Sequence, residues 1–220
     1  MPKAIVLHEY GRSDVLRLQA ITLKRPKAME IMVRQTAIGV HFHDIYVRTG
    51  LYKTLNLPGI PGLEAAGIVE AVGPGPSIFE TGDRVIYVTS EYGAYASHRV
   101  LPQKLAVKLP EGVSDAAAAA NFSRLLTVQM LMKNVAPPKP SQTILVTAAS
   151  GGVGRLLCQY AKAVGAHVIG TVGSAAKGDT AKSYGCDYTF TYDQSDFFNL
   201  VNDITAGKGV DIVYDSVGAK

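Results

Sequence analysis

The sequence predicts an α/β protein in two parts: a β-rich N-terminal domain over residues 1–122, then an incomplete doubly wound parallel-sheet domain over residues 123–220. Three observations predict it. Short β-branched and aromatic runs punctuated by Gly and Pro fill the first third of the chain. Strands and helices alternate from Thr143 onward. The stretch LVTAASGGVGRLLCQYAKAVGA, residues 145–166, passes from a strand through a glycine cluster directly into a helix.

In EIMVRQTAIGV the residues Ile31, Val33, Gln35, Ala37 and Gly39 share one face of a strand, and DRVIYVTS and AYASHRV are further strand-like runs bounded by Gly and Ser. LPGIPGLEAAG and VGPGP supply the Pro and Gly that tight corners of a barrel-like domain need. Ser114 predicts the cap of a helix through DAAAAANF. SRLLTVQMLMKNV follows with helical spacing of its apolar residues until the prolines of APPKPSQ stop it, so this stretch reads as the joint between domains. Then come a strand in TILVTA, a helix over Gly152–Val164, a strand in AHVIGTV, a helix over Ser174–Tyr184, a strand in DYTFTY, a helix in SDFFNLVNDIT and a fourth strand in VDIVYDSV. Alternation at these lengths predicts a parallel sheet with right-handed crossovers. It is half of a doubly wound fold, because the order 3-2-1-4-5-6 needs two strands more than the sequence supplies up to Lys220.

Composition narrows the function classes. With 220 residues, 47% hydrophobic and 18% charged, the chain has the make-up of a globular protein rather than a disordered one. MPKAIVLHEY lacks the apolar core of a signal peptide, and no run approaches the roughly 20 apolar residues of a membrane span. A cytoplasmic protein without a membrane partner is expected. The two cysteines, Cys158 and Cys186, exclude a disulfide framework and a four-cysteine zinc site. A net charge of +4 permits attraction to polyanions, but the one dense basic run, Lys24, Arg25 and Lys27 around Pro26, reads as a solvated turn.

The dinucleotide fingerprint G-x-G-x-x-G falls on Ala149, Gly151 and Gly154. Gly151 lets a pyrophosphate approach the backbone, Gly154 lets the helix pack against its strands, and the amides of Gly152 and Val153 point at the anion with the helix dipole behind them. At the end of the second strand, an enzyme specific for NAD would carry Asp or Glu for the ribose hydroxyls. Here Thr171, Val172 and Gly173 stand there, with Lys177 following. A carboxylate would repel a 2′-phosphate and an ammonium attracts it, so NADPH is the expected coenzyme. Tyr192, ending the third strand, is a second candidate for the phosphate or adenine edge, or an ordinary strand-end tyrosine.

AASGGVG, GTVGSAAK and IVYDSVG, with GVHFHDIYVRTGLY, IPGLEAAGIVEAVG and GDRVIY upstream, resemble the zinc-independent NADPH:quinone oxidoreductases of the medium-chain dehydrogenase/reductase superfamily. The resemblance spans nearly the whole sequence. It implies a GroES-like β domain, a Rossmann domain and a catalytic cleft between them, in a family of homodimers. It also implies a metal-free reaction, since His41 and Leu63 occupy the places of zinc ligands in related enzymes. His41 stands where quinone reductases have asparagine at the nicotinamide, and it and His43 read as polar loop residues near the coenzyme. Arg124 and Leu125 replace an expected lysine and glycine. By the same resemblance Phe42, Asp44 and Tyr46 lie on the nicotinamide side, Tyr52 at the mouth, and Thr127 and Met130 beside the coenzyme. Gly152, Val153, Gly173, Ser174 and Lys177 hold its phosphates, and Tyr192 and Val217 complete the set. Tyr46 and Tyr52 are the candidate catalytic residues, as donors to an acceptor oxygen that gains charge or as aromatic lining.

Hydride transfer from NADPH to a quinone is the implied reaction, and reduction of the carbon–carbon double bond of an alkenal or enone is the near alternative. A third reading makes the chain a truncated relative that binds NADPH or RNA without catalysis; net charge favours RNA, but no nucleic-acid motif is recognisable.

Overall fold

The alternation in EIMVRQTAIGV becomes the middle of an antiparallel sheet. This computed structural model describes residues 1–193 and 196–218. The chain divides into two units, Met1–Ser123 and Arg124–Lys220. In the first, β1 (Lys3–Val6) pairs with β2 (Arg17–Ala20). The main sheet is built from β3 (Glu30–Ile38), β4 (Glu64–Val72), β5 (Arg84–Val88), β6 (His98–Pro102) and β7 (Ala106–Lys108), in the order β6-β3-β4-β5-β7 with every pair antiparallel. Ile31 and Val33 are buried, Gln35 and Ala37 half-buried, and Thr36 and Ile38 exposed, as one apolar face requires. That face packs with Ala65, Val69, Val85 and Tyr87 into the unit's core.

Several elements of this unit escape the sequence reading: the strands β1, β2, β4 and β7, and a helix. Between β3 and β4 the chain forms α1 (Phe42–Thr49), which begins at His41 and ends at Gly50 with φ 80°. A left-handed residue at that place favours glycine, because a Cβ there would stand 3.0 Å from the Cβ of Tyr10. His43 is therefore a helical residue, not a loop residue, and His41 is the residue that starts the helix.

The predicted joint is also more continuous than its sequence suggests. A single helix, α2 (Asp115–Gln129), runs through NFSR and passes into a π-helical turn, Met130–Val135, which ends before Pro137. Ser114 caps it as expected, its Oγ accepting from Ala117 N at 3.2 Å.

In the second unit β8 (Thr143–Val146), α3 (Gly152–Val164), β9 (His167–Val172), α4 (Ala175–Ser183), β10 (Tyr188–Thr191), α5 (Phe197–Ile204) and β11 (Ile212–Tyr214) follow the predicted alternation. Ser195, in the predicted start of α5, lies outside the described residues. The sheet is parallel, in the order β10-β9-β8-β11: third, second, first, fourth. Its core joins Ile144, Val146 and Val168 to Leu157, Cys158 and Ala161 on α3. Among the described residues no helix is long and apolar enough to cross a membrane.

Candidate functional site

In a parallel sheet the carboxyl ends of all strands lie along one edge, where loops can gather a ligand. In the second unit four strand ends carry the predicted coenzyme residues. The turn after β8 holds Ala148–Gly151. Gly151 N donates to Ala148 O at 2.7 Å, and Gly151 starts α3 with no side chain capping it. The amides at the head of α3 are then available donors at the positive end of a helix dipole. A Cβ on Gly154 would come within 2.2 Å of Ala148 O, so glycine is compulsory at this crossing of helix and turn. On Gly151 it would meet Ala148 O at 2.9 Å.

The end of β9 is bare: Gly173 and Ser174 are exposed. A Cβ on Gly173 would lie 3.9 Å from the Tyr192 ring and 4.0 Å from Lys177 Nζ, so the tyrosine from β10 and the ammonium from α4 flank the same gap. The Tyr192 hydroxyl also accepts a hydrogen bond from Ala148 N at 2.9 Å, which ties the third strand's end to the glycine turn. Beyond β11, the Asp215 carboxylate accepts from Thr147 Oγ1 at 2.7 Å and Val217 N at 2.9 Å. These bonds, the Thr147 hydroxyl's first, hold the Asp215 carboxyl below its ordinary pKa and brace the turn that bears Val217. Sequence reasoning missed Thr147 and Asp215; the D-S-V-G run, an Asx-type turn, was the available signal.

In the first unit the predicted residues gather around α1. Phe42 and Tyr46, one turn apart, meet edge to face with centroids 5.2 Å apart, and Tyr46 meets Tyr52 in the same way at 5.2 Å. Phe42 is 68% exposed and Tyr52 44%, so this cluster presents an open aromatic surface. His43 tilts against Tyr52 at 5.6 Å, and its Nε2 lies 3.0 Å from the Tyr92 hydroxyl, which is 2.6 Å from Thr54 Oγ1. Asp44, in contrast, is buried and acts inward. It accepts from His41 N at 2.9 Å and from the Tyr95 hydroxyl at 3.0 Å. Burial first, and the Asp44 charge second, push the Tyr95 phenol well above its usual pKa.

Beneath His41 lies a residue the sequence reading did not single out. Glu64 is fully buried at the start of β4 and accepts from Ser123 N at 2.9 Å and Ser123 Oγ at 3.0 Å, while its Oε2 stands 2.6 Å from His41 Nε2. Gly39 makes room for this pair, since a Cβ there would lie 2.9 Å from Glu64 Oε2 and 3.1 Å from His41 Nε2. The helix residues Thr127 and Met130 are half-buried and 49% exposed, respectively.

His41 and Glu64 are the two possible metal donors that meet beneath α1. Leu63 supplies no ligand, Cys158 and Cys186 are buried against each other with sulfurs 3.3 Å apart, and no three His, Cys, Asp or Glu side chains cluster as metal ligands among the described residues.

A parallel sheet in 3-2-1-4 order with a glycine turn and a bare second strand end, preceded by an antiparallel β unit, defines a medium-chain type of nucleotide-dependent oxidoreductase. Family profiles agree with both parts: the alcohol dehydrogenase GroES-like domain matches residues 27–111, and the zinc-binding dehydrogenase family matches residues 152–220. Quinone oxidoreductase 1 of Escherichia coli is 43% identical over 219 residues, covering 99% of this chain and 67% of the relative. The 2-haloacrylate reductase of a Burkholderia species is 38% identical, with the same coverage. The crystal structure of an E. coli quinone oxidoreductase complexed with NADPH superposes with a TM-score of 0.94 at 42% identity, covering 99% of this chain and 67% of that one. The chain belongs to the quinone oxidoreductase family of the medium-chain dehydrogenase/reductase superfamily, and it spans about two thirds of the length of these relatives.

Proposed function

We propose that this chain is an NADPH-dependent reductase that acts on a quinone without a metal ion. The observation that carries the coenzyme reading is that Lys177 Nζ and the Tyr192 ring each lie about 4 Å from where a side chain on the bare Gly173 would begin, with no carboxylate anywhere in residues 171–177. An ammonium next to a gap of this kind suits a 2′-phosphate and gains a charge-assisted hydrogen bond from it. The NADPH bound in the E. coli neighbour supports the same choice.

When bound, NADPH supplies a hydride from its nicotinamide ring. The residues of this chain bind and orient. The amides of Gly152 and Val153 hold the pyrophosphate, Gly151 and Gly154 allow its approach, and Gly173, Ser174, Lys177 and Tyr192 hold the adenosine phosphate end. Val217, on the turn braced by Asp215, Thr127 and Met130 are assigned to the coenzyme as well, and His41, Phe42 and Asp44 to its nicotinamide side. Asp44 serves indirectly by fixing the start of α1. Tyr46 and Tyr52 offer a planar acceptor ring an aromatic face, and their hydroxyls can donate to the oxygen that gains charge. In this reading His41 is paired with Glu64, and polarising the acceptor is assigned to these hydroxyl donors.

A second reading, reduction of an activated carbon–carbon double bond, is favoured by the similarity to the 2-haloacrylate reductase. The deciding experiment compares steady-state rates with NADPH and either 1,4-benzoquinone or a simple alkenal. Faster turnover of the quinone is expected. Faster turnover of the alkenal would move the assignment to the second reading, and no turnover of either would overturn the enzyme reading.

A further inference from the structure

Gly152, the first residue of α3, has a neighbour that the glycine fingerprint does not call for. A Cβ on it would stand 2.7 Å from Arg124 Nε, 2.9 Å from Cζ and 3.2 Å from Cδ. The guanidinium of Arg124, a half-buried residue of α2, therefore occupies the space that the missing side chain leaves over the helix's first turn.

On electrostatic grounds this is the wrong end of the helix for a cation. An α-helix carries about half a positive charge at its N-terminus, and cations are favoured in its last turn, where α3 has Lys162. Arg124 adds a full positive charge to the end that is already positive. An anion at the head of α3 lies within reach of both the guanidinium and the helix amides, and the planar fork of an arginine matches two oxygens of one phosphate.

We propose that Arg124 binds the coenzyme's pyrophosphate, its guanidinium taking one set of phosphate oxygens while the amides of Gly152 and Val153 take another. The inference rests on the coenzyme reading above and deepens it. The two cations then divide the coenzyme between them: Arg124 grips a group common to NADPH and NADH, and Lys177 grips one that only NADPH has. Gly152 gains a second reason to be glycine, since it makes room for the arginine as well as for the phosphate.

Equilibrium titration of the full chain with NADPH and with NADH, followed by nicotinamide fluorescence, tests this. Arg124→Gln is expected to weaken both coenzymes by the same factor, about tenfold or more. Arg124→Lys, which keeps the charge and loses the fork, recovers part of that loss. Gly152→Ala, which displaces the guanidinium without discharging it, weakens both coenzymes too, whereas Lys177→Gln weakens NADPH alone. Melting temperatures recorded alongside separate lost binding from lost folding, and Arg124→Lys carries the test if Arg124→Gln does not fold. Wild-type affinity for both coenzymes in the folded arginine variants would overturn the proposal, as would a loss confined to NADPH. If the unmodified chain bound neither coenzyme, the coenzyme reading itself would fall, an outcome that the wild-type titration reports before any variant is made.

Discussion

At the scale of single residues, Gly154 sets the tightest constraint in the coenzyme turn. The atoms its Cβ would strike, Ala148 O at 2.2 Å and Ala149 Cα at 2.9 Å, are backbone and cannot swing aside as a side chain would. Gly154→Ala must push α3 away from the turn, so it is expected to destabilise the protein by about 1–3 kcal/mol and to weaken NADPH binding. A urea melt and a coenzyme titration of the variant check both. Gly154 and Gly151 were legible in the sequence because their role is local, a backbone approach within a few positions of the residue itself. The lack of a carboxylate at the end of β9, with Lys177 following, is likewise read directly from the sequence, and the assignment of Lys177 to the 2′-phosphate is proposed on that ground. Glu64 was not legible. Its partners are His41 and a serine 59 positions away, and only the folded sheet brings them to one buried carboxylate. Tyr92 is a similar case, joined to His43 across 49 positions.

At the scale of elements, α3 was readable to the residue because both of its ends are written in glycine: Gly151 before it and Gly165, with φ 89°, after it. α1 was hidden inside a stretch that otherwise reads as strands, although it carries its own start and stop in Asp44 and Gly50. Asp44 holds that helix from below. It is only 5% exposed, receives His41 N and the Tyr95 hydroxyl, and so joins the helix start to the chain before β6. Removing the carboxylate leaves two donors without their acceptor in a buried place, which costs about 2–4 kcal/mol as the sum of a lost cap and a lost charged hydrogen bond. Asp44→Ala is therefore expected to lower the urea midpoint and to reduce kcat/KM, because Phe42 and Tyr46 ride on the same helix. Asp44→Asn keeps one acceptor oxygen and should recover part of the stability. An Asp44→Ala variant as stable as the wild type would remove this carboxylate from the account of α1.

At the scale of the whole molecule, the carboxylates of both units respond to acid in the same direction. In the first unit, hydrogen bonding from Lys108 lowers the pKa of Asp83; for Asp115, burial works to raise it but is outweighed by Thr36 and Arg84. In the second, burial likewise opposes the shift at Asp187 and is outweighed by Lys162 and the Val168 amide, while Asp215 is lowered by Thr147 and two turn amides. A carboxyl with a depressed folded-state pKa stabilises the fold fully above its unfolded value, about 3.9, and loses that contribution as the pH falls through the lower folded value. Stability set by these groups should accordingly be level from pH 7 to about pH 5 and decline below about pH 4. Each unit has its own share of such groups, so the decline should appear in signals from both: near-ultraviolet signals of the tyrosines around α1 for the first, and retention of NADPH binding for the second. Asp187→Asn removes one contributor at a strand entrance without touching the coenzyme residues. Its melting temperature should lie below the wild type's at pH 7, and the gap should close as the pH falls below 4, where the wild-type carboxyl is protonated as well. A gap that stayed constant down to pH 3 would mean that the carboxylate's charge, and with it the ion pair to Lys162, contributes nothing to holding β9 against α3.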